Sequence, residues 1–290
     1  MKQILLIGGM EASNDTERML RFCDEFQEIL SASQVHVSFC HYDEVSFIFS
    51  SEEYTVTDHR NNRPLTFYDQ VFFKGPIPKT YIAYALSRYL GYAKIPYAND
   101  YAAYKPLNKI PQLIDMSELG LRFPITLYSA NKDKLLQLTE KILSFPVVVK
   151  SIGGSKGQRN ALANTVNDVK EMFKKYRSFQ FFVQEYIPCN DDFRVLIIGK
   201  QLSILHRYSA KGSYLHNMAQ GAVVEIVPKD TLPEEVVEQA RLLAAKTRLQ
   251  IAGVDLVYNP TNKSYYFLEI NSQPGLYPPD VQKFLMAMLK

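Results

Sequence analysis

Short apolar runs alternate with amphipathic stretches along most of the chain, the pattern of strands interleaved with helices. Ile4-Leu5-Leu6-Ile7 ends at Gly8-Gly9 and predicts a buried strand over 2–8. Over 16–30, Met19, Leu20, Phe22, Cys23, Phe26 and Ile29-Leu30 recur at helical spacing. Strands are predicted over 35–39 and 70–74, the second halted by Gly75-Pro76-Ile77-Pro78, and a helix over 81–90. Between them, 50–66 is polar and turn-rich and reads as a loop or an edge hairpin. This β-α-β…β-α order predicts a small, mainly parallel first lobe over 1–98.

The pattern changes after Ile95-Pro96-Tyr97. Helices are predicted over 107–119, over 132–143 with Asn131 as N-cap, and over 166–177; strands over 145–150 and 181–185. From there the pattern is antiparallel, with strands near 193–198, 201–206 and 222–227. A helix is expected to start at Leu232, with Thr231 and Glu234 forming a capping box around Pro233. A hairpin and a short terminal helix follow. The expected division is 1–98, 99–183 and 184–290, an α/β chain with α+β lobes.

Composition narrows the classes. With 290 residues, 47% hydrophobic and a formal charge of +3, the chain can fill a sizeable core, and neither nucleic acid nor a membrane is implied as a partner. Three cysteines without a CxxC spacing favour neither a disulfide framework nor zinc, which suits a reducing, cytoplasmic setting. No apolar run approaches the roughly 18 residues of a membrane span.

The strongest chemical signal is the last hairpin. Gly253–Tyr258 and Tyr265–Asn271 flank Asn259-Pro260-Thr261-Asn262-Lys263, and the midpoint of 255 and 269 falls at 262, inside that turn. Asp255 is therefore expected opposite or nearly opposite Glu269, with Asn271 on the same face two residues on. Like charges facing each other among apolar residues are unfavourable. A divalent cation would remove the conflict, and three oxygen ligands suit Mg²⁺ better than zinc; a solvated carboxylate or a lysine cap would also do so. Gly153, Gly154, Ser155 and Gly157 make a loop fit to cover phosphates, or a plain hairpin turn, with Lys150 and Lys156 adding positive charge. Arg194 and Arg207, on adjacent predicted strands, could grip an anion or pair with Asp191 and Asp192.

In their order, FPVVVKSIGGSKG, QEYIPCNDDFRVLIIGK and GVDLV…FLEINSQPG resemble the ATP-grasp superfamily, and within it the RimK-like carboxylate–amine ligases, over about 96–277. The resemblance implies an ATP-grasp fold, in which a small preceding lobe leads to two lobes clasping ATP. It implies Lys109 and Lys150 as phosphate-contacting lysines, residues 153–157 as the flap, and Glu185, Tyr186 and Ile187 as the adenine connector with Asp191 near the ribose. Arg194, Arg207 and Asn217 fall on the side of the transferred phosphate, and Asp255, Glu269 and Asn271 match the metal ligands. The cofactors implied are ATP and Mg²⁺, with Mn²⁺ as a substitute. The reaction implied joins a carboxylate to an amine through an acyl phosphate, on a peptide or amino-acid substrate; a homo-oligomer is compatible. A kinase on the same scaffold, a peptide-crosslinking (macrocyclising) ligase and an ATP-binding module are the rival readings. Where such enzymes usually carry arginines, this chain has Leu215 and Gln220, and its flap ends Gly157-Gln158-Arg159-Asn160, so glutamate is not carried over as the amine. For a general base, His206, His216 and Glu225 are the candidates. The aromatic run Tyr81, Tyr84, Tyr89, Tyr92, Tyr97, Tyr101 and Tyr104 reads as a substrate groove or a packed helix face.

Overall fold

A computed structural model describes residues 1–9, 16–30, 34–51, 54–74, 80–101, 109–152, 159–189, 191–208 and 223–275. The expected terminal helix, the flap glycines, Asn217, His216 and Tyr104 lie outside the described residues.

The first lobe contains β1 (Lys2–Ile7), α1 (Thr16–Ile29), β2 (Val35–Cys40), β3 (Val45–Phe49), β4 (Tyr54–Asp58), β5 (Arg63–Pro64), β6 (Gln70–Phe73), α2 (Thr80–Tyr92) and β7 (Tyr97–Ala98). Four of these strands form a parallel sheet in the order β2-β1-β6-β7. Its central strand β1 is apolar on both faces because both are covered. Ile4 and Leu6 join one core with Phe26 of α1. Leu5 and Ile7 join another with Ala83 and Leu86 of α2 and Val56 of β4. The polar stretch after 50 belongs to a small antiparallel sheet, β3-β4-β5. Tyr89 and Tyr101 are core residues, whereas Tyr81 and Tyr92 are exposed, so the tyrosine run is split between core and surface.

Next come α3 (Lys109–Glu118), β8 (Thr126–Tyr128), α4 (Lys132–Ile142), β9 (Val147–Ser151), β10 (Asn160–Ala163), α5 (Val166–Lys175) and β11 (Phe181–Glu185). The antiparallel sheet β10-β9-β11-β8 lays Val147, Val149, Phe181 and Val183 on Leu135 of α4 and Val169 and Phe173 of α5. Asn131 caps α4 as expected, its side chain accepting from the Lys134 N–H at 3.0 Å. By the alternation of strand residues, Lys150, Phe182 and Gln184 face away from these helices.

The last sheet is antiparallel, in the order β14-β13-β12-β15-β16, from β12 (Asp191–Ile198), β13 (Gln201–Tyr208), β14 (Val223–Val227), β15 (Ile251–Asn259) and β16 (Ser264–Asn271), with α6 (Glu234–Thr247) before β15. Phe193, Val195 and Ile197 pack on the helix side with α6 and with Met116 of α3. Helix α3, which the expected division groups with the second sheet, thus adds its buried side to the third. The opposite face of this sheet carries Leu196, Ile198 and Ile251 against the first lobe, and further along the strands Arg194 and Asp255.

The capping box expected around Thr231 does not form. Thr231 closes a 3-10 turn, Leu232 is extended at ψ 146°, and α6 starts at Glu234 with Pro233 as N-cap and no side-chain cap. The Pro233 ring disfavours the helical region for Leu232, which Thr231 would need in the first turn.

Two buried carboxamides tie the last hairpin to its surroundings by imitating backbone. Gln112 accepts from the Ile270 N–H at 3.1 Å and donates to the Ile270 carbonyl at 3.0 Å, filling the open edge of β16. Asn99 does the same for Ile251, at 2.8 and 2.9 Å, and also donates to the Ser272 carbonyl at 2.7 Å. Replacing Gln112 with Leu removes both bonds and strands two buried backbone groups. It should lower stability by about 2–3 kcal/mol, read as a lower urea midpoint at unchanged m-value.

Candidate active site

The third sheet's open face gathers the charged residues through strand pairing. Asp192 pairs with Arg207 between β12 and β13, and Arg194 pairs with Asp255 between β12 and β15. Asp255 in turn stands opposite Glu269, and Gly253 opposite Asn271. A bulge decides that last register. Counted from the turn, Asn259 pairs with Ser264 and Leu256 with Phe267, which would leave Leu268 facing Asp255. The shift between Asp255 and Leu256 advances the pairing by one residue and brings Glu269 across.

The opposed carboxylates converge and are held by cations. Asn271 Nδ2 donates to Asp255 Oδ2 at 3.1 Å and to Glu269 Oε1 at 3.2 Å. Lys109 Nζ lies 2.9 Å from Glu269 Oε2. Arg194 grips Asp255 through two bonds of 2.6 and 2.7 Å. Arg207 takes Asp192 the same way, at 2.5 and 3.0 Å, and reaches Asp255 at 3.3 Å. The cation caps that the sequence left open as an alternative to a metal are therefore present, and Asp192 is the partner of Arg207. Desolvation alone would raise the Glu269 carboxyl; Lys109, Lys150 and the Asn271 amide outweigh it and hold it down at about 2. Burial likewise works against the charge of Arg194, and Asp255 overrides it and pushes the guanidinium up.

Across from this face, Lys150 of β9 is held by a neutral acceptor. Its Nζ donates to Gln184 Oε1 at 2.7 Å, Gln184 Nε2 donates to Thr126 Oγ1 at 2.8 Å, and that hydroxyl donates to the Pro124 carbonyl at 2.8 Å. Because the Thr126 proton is committed to Pro124, the amide must present its oxygen to the lysine. Burial, with Lys109 nearby, lowers the Lys150 ammonium to about 8, against the pull of Glu269 and Asp255. Lys109 bridges the two sides, its ammonium 6.0 Å from the Phe182 ring on the second sheet. Four cations (Lys109, Lys150, Arg194, Arg207) thus meet three carboxylates (Asp192, Asp255, Glu269), a surplus of positive charge suited to a polyanion.

The remaining predicted residues are spread more widely. Glu185 ends β11 and its carboxylate accepts from the Ile125 N–H at 3.1 Å; Tyr186 and the buried Ile187 follow in the chain that links the two sheets. Asp191 opens β12, opposite Tyr208. His206 and Glu225 are corrections: they pair with each other on the sheet face opposite Arg207, where His206 stacks on Phe193 at 4.9 Å, so neither is placed to act as a general base here.

Sequence reasoning missed Gln184, Gln112, Asn99 and Gly253. A polar residue in the apolar strand Phe181–Glu185 was a usable signal for Gln184. A Cβ on Gly253 would lie 2.9 Å from Pro274 Cβ and 3.1 Å from Arg194 Cδ, so glycine is needed for the arginine to lie over the strand. Lys74, at the end of β6, donates to the Pro274 carbonyl at 3.2 Å and brings the first lobe to the rim of this site.

A metal fits this donor set. Among the described residues no group of three or more His, Cys, Asp or Glu assembles, and the side chain that lies against both Asp255 and Glu269 is the amide of Asn271. Asn271 now donates its NH2 to both carboxylates; turned over, the same amide would present its oxygen and complete, with Asp255 and Glu269, the hard donor set that Mg²⁺ takes.

Residues 108–283 match the family model described as the RimK-like ATP-grasp domain. It is a member of the RimK-like ATP-grasp ligases. A probable alpha-L-glutamate ligase of Chromohalobacter salexigens is 30% identical over 175 residues, which is 58% of this chain and 56% of that relative, so the match spans just over half of the relative's length. A second, from Sodalis glossinidius, is 26% identical over 75% of this chain and 74% of its own. The fold is that of the macrocyclase MdnC of Microcystis aeruginosa, solved with its precursor peptide MdnA, at TM-score 0.71 and 17% identity over 99% of both chains. Among the described residues no helix is long and apolar enough to cross a membrane.

Two outcomes follow from the geometry. Gly253→Ala should displace Arg194 or Pro274 and cut turnover at least about tenfold, measured by steady-state kinetics beside an unchanged circular dichroism spectrum. An anion favours the protonated form of Lys150, so nucleotide affinity should fall as pH rises through about 8. Calorimetric titration from pH 6.5 to 9.5 measures that fall, and Lys150→Arg, which stays charged, should remove it.

Proposed function

We propose that this member of the family is an ATP- and Mg²⁺-dependent ligase that joins a carboxylate to an amine through an acyl phosphate. The observation that carries the proposal is the convergence of Lys109, Arg194 and Arg207 on Asp255 and Glu269, which Asn271 bridges, with Lys150 held on Gln184 close enough to feel both carboxylates. In this reading a carboxylate oxygen attacks the γ-phosphorus as the bond to the β,γ-bridging oxygen breaks, and ADP leaves with that electron pair. The amine then attacks the acyl carbon, phosphate departs, and the nitrogen loses a proton to give the amide.

Each residue has a physical task. Asp255, Glu269 and Asn271 would hold Mg²⁺, which would supply charge neutralisation to the phosphates. Lys150, presented by Gln184, and Lys109 donate to the phosphates. Arg194 and Arg207 lie where negative charge grows during transfer, and groups fixed in advance are worth most there. Glu185 at the end of β11 and Tyr186 and Ile187 in the link that follows would take the flat base, and Asp191 is assigned to the ribose on sequence alone. The loop 153–157 (Gly153, Gly154, Ser155 and Gly157 within it) and Asn217 complete the proposal on sequence alone. Excluding water matters for an acyl phosphate, which water would otherwise consume.

A peptide is favoured as substrate over free glutamate. Of the fold neighbours, MdnC was solved with a precursor peptide, and Leu215 and Gln220 replace the arginines that would answer an acidic amine.

Hydroxylamine tests the intermediate. With ATP, Mg²⁺ and a carboxylate-bearing peptide pool, the wild-type chain should form a hydroxamate together with ADP. Glu269→Ala should lower this by about 10²-fold or more. ADP with a phosphoester and no hydroxamate would establish a kinase instead.

A further inference from the structure

The proposed reaction does not require Lys109 to touch Glu269, since a phosphate lysine and a metal carboxylate have other partners in a loaded site. Here they form an ion pair at 2.9 Å. The backbone that carries Lys109 has little freedom. Gln112, one turn further along α3, makes two hydrogen bonds to the backbone of Ile270, the neighbour of Glu269. Met116, one turn beyond that, is fully buried. What can move is the four-carbon side chain, whose ammonium is 2.9 Å from Glu269 Oε2 and 6.0 Å from the centroid of the Phe182 ring of the facing sheet.

We propose that Lys109 is an internal counter-ion that occupies the metal position on Glu269 until a nucleotide draws its ammonium away. An ammonium and a divalent ion on one carboxylate would repel each other strongly at contact distance. The two states are therefore exclusive: lysine on Glu269, or metal on Glu269 with lysine on phosphate. The exchange also keeps the opposed carboxylates of Asp255 and Glu269 neutralised throughout, so the hairpin is never left with bare like charges. Affinity for the metal and for the nucleotide must then be coupled, each raising the other by the same factor. Lys150 takes no part in this exchange, because its partner is the neutral Gln184 amide.

This inference rests on Asp255, Glu269 and Asn271 being metal ligands, and its test separates the two. Free Mn²⁺ is measured by electron paramagnetic resonance during titration of wild type, Lys109→Met and Lys150→Met, each with and without ADP. Expected without nucleotide is weak binding by wild type and binding at least about tenfold tighter by Lys109→Met. Lys150→Met, which removes the same charge from the same site, should gain much less. Lys109→Arg should stay weak, and Lys109→Gln serves in place of Met should that variant melt early. Equal Mn²⁺ affinity of wild type and the Lys109 variants without nucleotide overturns the counter-ion role while leaving the metal site standing. So does an equal gain in Lys150→Met, which would mark a general charge effect. No Mn²⁺ bound by any form with ADP present would instead overturn the metal reading itself.

Discussion

The opposition of Asp255 and Glu269 across β15 and β16 sets the charge of everything around it. Strand pairing puts two carboxylates side by side on a face that the second sheet also approaches, and neither can be left uncompensated there. Arg194 answers one and Lys109 the other, while Asn271 spans both with its amide. Arg207 binds Asp192 and Asp255 together, which passes the same requirement one strand further. The cations that neutralise the hairpin in this state are also those suited to bind a polyphosphate.

Such a constellation works only if the hairpin is held in place, and the holding is done by neutral groups. Asn99 and Gln112 each add one backbone-like partner at the open end of the hairpin, tying Ile251 of β15 to the first lobe and Ile270 of β16 to α3. Lys74 and Gln273 add bonds between the end of β6 and the segment after Asn271. The first lobe is thus anchored to the strand ends that bear Asp255, Glu269 and Asn271, which gives a reason for its parallel sheet to pack on Leu196, Ile198 and Ile251. On the opposite side, Thr126 and Gln184 orient Lys150 through a hydrogen-bond chain with no carboxylate in it. That leaves a cation whose charge is not consumed by its own support.

Much of this was legible from residue order. Alternation placed Arg194, Arg207, Asp255, Glu269 and Asn271 on strands, and the position of the turn put Asp255 opposite Glu269 to within one residue. The three phrases of the family pattern carried the family and the fold. Other elements misled for identifiable reasons. Thr231 and Glu234 match a capping box by spacing, but Pro233 holds Leu232 out of the helix. His206 looked available to the chemistry, yet one step of strand alternation turns it to the core beside Phe193. The tyrosine run reads as one face and is divided between core and surface.

By itself the sequence determined the periodicities, and with them the order of strands and helices, the hairpin and the residue types on each of its faces. These depend on neighbours a few positions apart, where spacing and side-chain chemistry suffice. The tertiary structure alone decided the bulge that advances the β15–β16 register, the pairing of Lys109 with Glu269, and the roles of Asn99, Gln112 and Gln184. Each of these is a contact between segments far apart in the chain, in which a polar group takes whichever partner the packing leaves within reach, and no local pattern encodes that choice.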